Sequence, residues 1–179
     1  MDKTIGNRRV IAVVPAYNER DNIVSTIEDL RSNAPGVDYV IVNDGSKDDT
    51  LSICREHGYN VIDLPVNLGL AGAFQTGMRY AYKHGYDYAI QFDADGQHSA
   101  AYIYEMIRVA ETQDANIVIG SRFATQKKTL SARMAGSVLI SAMILLTTRQ
   151  RIQDPTSGMR LFDRKMIPLF ANEMDFGPE

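Results

Sequence analysis

Six short apolar runs, each followed by polar or acidic residues and most separated by stretches with helical spacing, set the strongest limit on how this chain folds. The runs are Val10–Val14, Tyr39–Val42, Val61–Leu64, Tyr88–Phe92, Ile117–Ile119 and Met159–Phe162. They are continuous rather than alternating, which predicts strands covered on both faces and hence a mainly parallel sheet flanked by helices. The predicted helices lie between them. Asp21–Ala34 places Ile23, Ile27 and Leu30 on one face and stops at Pro35-Gly36. Asp48–His57 closes at Gly58, Leu70–His84 closes at Gly85, and Ala100–Thr112 precedes the fifth run. No repeat interrupts the pattern and no domain boundary appears before Gly120, so the expectation is one α/β domain.

Composition narrows the function classes. A net charge of −3 is too weakly acidic to imply a nucleic-acid partner. The single cysteine, Cys54, makes no internal disulfide and no cysteine zinc site, which favours a reducing, cytoplasmic setting. The polar start Met1–Arg9 lacks the pattern of a signal peptide.

One segment departs from the rest. Between Ala115 and Gln153 there is no acidic residue but six basic ones: Arg122, Lys127, Lys128, Arg133, Arg149 and Arg151. Within it, the fifteen uncharged residues Met134–Thr148 would make a helix of ~22 Å, too short for a hydrocarbon core of ~30 Å. Residues 122–151 read equally as a buried helix with solvated basic ends or as a peripheral contact with anionic lipid at the cytoplasmic membrane face.

Ligands of open parallel sheets bind beyond the carboxyl ends of the strands, so the residues after each run matter most. The first run is followed by Pro15-Ala16-Tyr17-Asn18-Glu19, the second by Asn43-Asp44-Gly45-Ser46-Lys47-Asp48-Asp49-Thr50, the fourth by Asp93-Ala94-Asp95-Gly96-Gln97-His98, and the fifth by Gly120-Ser121-Arg122. Asp93 and Asp95, two residues apart at a strand end, suit one hard cation shared with a ligand's phosphates, so Mg²⁺ or Mn²⁺ is the expected cofactor. Gln97 and His98 complete or orient that site, although His98 alone reads better as a cap for the helix near Ser99. Asp44 is free to accept from a base N–H or a ribose hydroxyl. Gly45 suits a tight turn, Ser46 or Asp48 a helix cap, and Asn18 a cap for the first helix. Leu68-Gly69-Leu70-Ala71-Gly72 fits neither the dinucleotide nor the P-loop pattern, which argues against nicotinamide cofactors and P-loop ATPases. A haloacid-type phosphatase also carries Asp-x-Asp after a strand, but near the chain's start and with Thr or Val where Gln97 stands.

Taken in order, Val14-Pro15-Ala16-Tyr17-Asn18-Glu19, Val42 to Thr50, Asn67-Leu68-Gly69, Phe92 to His98, Gly120-Ser121-Arg122 and Asp154-Pro155-Thr156-Ser157-Gly158-Met159-Arg160 resemble family 2 glycosyltransferases of the GT-A fold. The Asp-Ala-Asp-Gly-Gln-His and Asp-Pro-Thr-Ser-Gly pieces look most like the polyprenyl-phosphate branch. The resemblance implies a Rossmann-like GT-A sheet and metal-dependent, inverting transfer from a nucleotide-sugar. A UDP-sugar is favoured over a GDP-sugar, and the acceptor is a lipid phosphate or a glycan. It implies that Pro15, Ala16, Tyr17, Glu19, Asp44, Gly45, Ser46, Gly69, Asp93 and Ala94 bind the donor. Arg133 and Ser157 are further substrate-binding residues. Asp93, Asp95 and Gln97 hold the metal, and Arg122 and Asp154 are catalytic. Asp154 precedes Pro155, which disfavours helix there; a plain turn is the competing reading.

The family runs on past Phe176-Gly177-Pro178-Glu179, so residues 1–179 are expected to form a single catalytic domain that is incomplete at its C-terminal, acceptor-facing end. A non-catalytic sugar-nucleotide-binding or membrane-partner subunit is the alternative; retention of both Asp93 and Asp95 favours the enzyme.

Overall fold

Val10–Ala16 forms β1, and every residue in it is buried. The structure, a computed structural model, describes residues 6–96, 98–120 and 158–172. Within them α1 spans Ile23–Asn33, β2 Asp38–Asn43, α2 Thr50–Glu56, β3 Val61–Asp63, α3 Gly69–Lys83 and β4 Tyr88–Phe92. A 3₁₀ turn at Ala100–Tyr102 leads into α4, Ile103–Thr112, followed by β5, Ile117–Ile119, β6, Met159–Asp163, and α5, Met166–Asn172.

Among the described residues the sheet has six strands in the order β3-β2-β1-β4-β6-β5. β3, β2, β1 and β4 are mutually parallel, as the continuous apolar runs predict. β6 runs antiparallel to both β4 and β5. The sheet has two covered faces. Ala12 and Val14 of β1 pack with Ile23, Ile27 and Leu30 of α1 and with Ile103 and Ile107 of α4. Ile11 and Val13, pointing the opposite way at the strand's period of two, pack with Ala73, Phe74 and Met78 of α3 and with Ile167 of α5.

The structure extends β1 past the expected stop at Pro15. Pro15 pairs in register with Val42, and the next residue, Ala16, accepts from the Asp44 N–H at 2.9 Å. Ala16 therefore faces β2 and Pro15 faces the other side, where pairing with β4 ends at Val13. No ladder bond is missing for lack of the proline N–H.

α5 was not among the predicted helices. Pro168 within it obscures the pattern, yet proline is tolerated in a first helical turn. Asp163 Oδ1 accepts from the backbone N–H of Lys165 at 2.9 Å and of Met166 at 3.0 Å, which holds the chain at the helix entry.

Between β1 and β4 the chain's direction across the sheet reverses: β2 and β3 lie to one side of β1, β4 and β6 to the other. A crevice opens at such a switch point, outside the strands' carboxyl ends. Among the described residues no helix is long and apolar enough to cross a membrane. The basic segment 122–151 lies outside the described residues.

Leu161, fully buried at the centre of β6, tests whether this strand is integral to the core. Leu161→Ala is expected to cost about 2–5 kcal/mol in urea unfolding; a loss under about 1 kcal/mol would mean β6 is only loosely packed.

Candidate active site

A cleft of about 400 Å³ sits at the switch point. β1 and the loop after it contribute Pro15, Ala16, Tyr17 and Glu19; β2 contributes Asp44. The start of α3 adds Asn67, Gly69, Leu70 and Ala73, and the end of β4 adds Asp93, Ala94 and Asp95.

The loops are tied by side chains bonding to backbone across long sequence distances. Asn18 adopts φ 57, a left-handed conformation that asparagine tolerates. Its N–H donates to Ser46 Oγ at 3.0 Å, and its Oδ1 accepts from the Lys47 N–H at 2.8 Å. The Glu19 N–H donates to Thr50 Oγ1 at 2.8 Å, and the Arg20 N–H to Asp48 Oδ2 at 3.3 Å. Burial opposes the Asp48 charge, but hydrogen bonds from Thr50 and Arg20 outweigh it and hold the carboxyl below its usual value. Asn18, Ser46 and Asp48 thus fasten the first loop to the second. Asn18 and Ser46 make these cross-loop bonds in place of the helix-cap roles read for them, whereas Asp48 does both: its Oδ1 accepts from the N–H of Thr50, the first residue of α2, at 3.0 Å. At α4 the expectation moves by one residue: Ser99, not His98, accepts from Ala101 at the start of the 3₁₀ turn.

Asp44 is 3% exposed. Its Oδ1 accepts from the Leu68 N–H at 2.7 Å, which fixes the loop that enters α3 and leaves Oδ2 as the oxygen available to a ligand. Gly45 lies behind this contact. It has φ 65, and a Cβ there would come within 2.8 Å of Asn67 N and 2.9 Å of Val66 C. Its glycine serves close approach of two loops as much as the turn.

Asp93 closes β4. Burial lifts its carboxyl above the ordinary carboxylate value and neighbouring Asp95 adds to the lift, while a hydrogen bond from Gln91 Nε2 at 3.1 Å and the charges of His98 and Arg160 oppose it. The segment after Asp93 is held from α1. Thr26 Oγ1 donates to the Ala94 carbonyl at 3.1 Å, and Asp29 Oδ2 accepts from the Ala100 N–H at 2.7 Å. Two close carboxylates, one of them largely desolvated, form an electrostatically unbalanced pair. That donor set fits a hard divalent cation that takes one or two carboxylates, substrate phosphate oxygens and waters. Among the described residues no group of three His, Cys, Asp or Glu is gathered to hold a metal without such help.

The profile of Glycosyl transferase family 2 matches residues 11–169. The chain belongs to that family. It is therefore a glycosyltransferase-family enzyme, and the branch suggested by its motifs recurs among its relatives. It is 27% identical to a UDP-N-acetylglucosamine–dolichyl-phosphate N-acetylglucosaminyltransferase of Methanococcus voltae, over 95% of this chain and 75% of that protein. It is 30% identical to an undecaprenyl-phosphate mannosyltransferase of Micrococcus luteus, over 86% of this chain and 66% of that protein. Its fold is similar to that of glucosyl-3-phosphoglycerate synthase from Mycobacterium tuberculosis, solved with Mn²⁺, uridine diphosphate and product. The TM-score is 0.70 at 19% identity, over 89% of this chain and 58% of that one. The GT-A expectation for the sheet holds.

For this family 2 chain, the structure gathers Pro15, Ala16, Tyr17, Glu19, Asp44, Gly69, Asp93, Ala94 and Asp95, all singled out in the sequence, around one cleft. Gly45 and Ser46 stand behind it as loop supports rather than in its lining. Asn67, Leu70 and Ala73 line the cleft without having been singled out as site residues; Asn67 belongs to an Asn-Leu-Gly piece that did carry the resemblance. Gln97, Arg122, Arg133, Asp154 and Ser157 lie outside the described residues.

The Asp93 environment predicts a pH dependence. A carboxyl whose folded pKa is raised binds its proton more tightly in the native state, so its ionisation opposes folding. The penalty is absent when the group is protonated in both states, appears as pH rises past the unfolded value of about 3.9, and is complete above the folded value. Asp93→Asn keeps an acceptor for Gln91 and is expected to raise Tm at pH 7 in metal-free buffer, with the gain vanishing near pH 3. Thermal unfolding across that range checks it; equal Tm at pH 7 would show that the buried charge is already compensated.

Proposed function

We propose that this enzyme moves a sugar, with inversion and with help from Mg²⁺ or Mn²⁺, from a nucleotide-sugar to a polyprenyl phosphate at the cytoplasmic face of a membrane. The observation that carries the reading is a single cleft bordered at one side by a buried carboxylate with one free oxygen, Asp44, and at the other by the Asp93/Asp95 pair. A nucleoside diphosphate has matching parts: a polar base or ribose edge and, a few bonds away, a diphosphate. The names of the relatives from Methanococcus voltae and Micrococcus luteus support a lipid-phosphate acceptor over a glycan, and the first of them supports a UDP-sugar over a GDP-sugar.

Each residue has a role in this reading. Asp44 Oδ2 accepts from the base or ribose, while Tyr17, 42% exposed at the rim, offers a ring for the base to rest on. Pro15, Ala16, Glu19 and Gly69 shape the nucleoside end. Asp93 and Asp95, with Gln97, would hold the cation, and Ala94 keeps the pair spaced. When bound, such a cation offsets the charge that develops on the departing diphosphate. Arg122 and Arg133 are suited to forked contacts with acceptor or donor phosphate oxygens. Asp154 and Ser157 orient the acceptor side. A phosphate acceptor is already an anionic nucleophile at neutral pH, so Asp154 has less proton transfer to perform than a base acting on a sugar hydroxyl. A basic 122–151 segment suits an anionic lipid surface.

Calorimetry of UDP binding tests the central claim. Affinity is expected to rise with Mn²⁺ over EDTA in the native chain, and Asp95→Ala is expected to remove that rise while the thermal unfolding profile stays cooperative. Equal UDP and GDP affinities with and without Mn²⁺ would sink the metal-dependent reading. An Asp154→Asn variant with full turnover would remove Asp154 from the catalytic set.

A further inference from the structure

The antiparallel strand places a second constraint on Asp93. In the β4–β6 register Met159 stands opposite Phe92 and Arg160 opposite Gln91, which sets Gly158 level with Asp93. Directly opposed residues of an antiparallel pair project to the same face of the sheet. Gly158 has no side chain there, and the Asp93 carboxylate occupies the room. A Cβ built on Gly158 would overlap Oδ2 and Cγ of Asp93 and come within 3.0 Å of its Oδ1. From along its own strand, Gln91, 5% exposed, donates to Oδ1 at 3.1 Å. The carboxylate is therefore confined between a side-chain amide and bare backbone.

We propose that Gly158 and Gln91 are positioning residues that clamp Asp93 in one rotamer and aim it into the cleft. The inference rests on the reading above that Asp93 helps to hold the cation, and it gives the glycine of the Asp-Pro-Thr-Ser-Gly sequence a task. Any side chain at position 158 pushes against the carboxylate, and loss of the Gln91 amide frees one of its oxygens to rotate. Partners that orient a ligating group typically change metal affinity by ~10–100-fold when removed. A glycine that merely eased strand packing would behave differently: its substitution would weaken the fold without regard to what stands at position 93.

Two measurements separate these accounts. The first is thermal unfolding in metal-free buffer of Gly158→Ala, Asp93→Ala and the double variant. With Asp93 present, Gly158→Ala is expected to lower Tm by ~5 °C, as overpacking does. With Asp93→Ala the loss is expected to disappear, because the atoms met by the new methyl are gone. An equal loss in both backgrounds overturns the clamp. The second is calorimetry with UDP in Mn²⁺ and in EDTA. Gly158→Ala and Gln91→Leu are each expected to lose ~10-fold or more of the Mn²⁺-dependent gain while binding UDP in EDTA as the native chain does. An undiminished gain in both variants overturns the positioning role. A native chain with no Mn²⁺-dependent gain overturns the cation reading and the positioning role with it, and the unfolding cycle, which uses neither metal nor nucleotide, still decides whether the contact exists.

Discussion

A carboxylate at the end of a buried strand is the constraint around which the rest of this site is arranged. β4 is buried along its whole length, and Asp93 directly follows its last residue, Phe92, which is 1% exposed. Removing an ionised group from water is expensive unless hydrogen bonds or opposite charge replace the lost hydration. Here one amide hydrogen bond from Gln91 and the charges of His98 and Arg160 oppose burial and Asp95, and burial prevails. A cation placed beside the pair would offset that imbalance.

The same economy appears in the loops. A chain segment leaving a strand loses the ladder that satisfied its backbone groups, so something else must bond them. In this cleft the substitutes are short polar side chains from neighbouring loops and helices: Ser46, Asp48 and Thr50 for the first loop, Asn18 for the second, Thr26 and Asp29 for the segment after Asp93, and Asp44 for the entry to α3. Each bond is worth only about 0.5–1.5 kcal/mol net. Together they tie these loops to one another and to α1, mostly through side chains outside the cleft lining. Gly45 and Ser46 support the cleft in this way without lining it.

Much of this architecture was legible because it is written in local pattern. Continuous apolar runs gave the strands, and the residues just beyond them gave most of the cleft, since the carboxyl edge of a parallel sheet is where the chain turns outward. What stayed hidden depends on partners distant in sequence. Asn18 looks like a helix cap until Lys47 is seen beside it. Pro15 looks like the end of a strand unless β4 is known to stop short of it. The helix Met166–Asn172 is masked by Pro168, and its entry is held by Asp163 at the end of the preceding strand. Gly158 reads as a turn glycine, and only the antiparallel register reveals that it faces Asp93.

The antiparallel direction of β6 has its own logic. Had β6 run parallel to β4, its far end, at Asp163, would have arrived at the carboxyl edge of the sheet. Running the other way, it delivers its first residues there, so Gly158 stands beside Asp93. β5 is antiparallel to β6 and so parallel to β4, and the Gly120 N–H donates to the Met159 carbonyl at 2.8 Å just past its end. Gly120 and Gly158, the two described residues that bracket the basic stretch, are thereby both fixed at the edge that carries Asp93. Among the described residues the reversed direction of β6 is what brings both glycines to that edge.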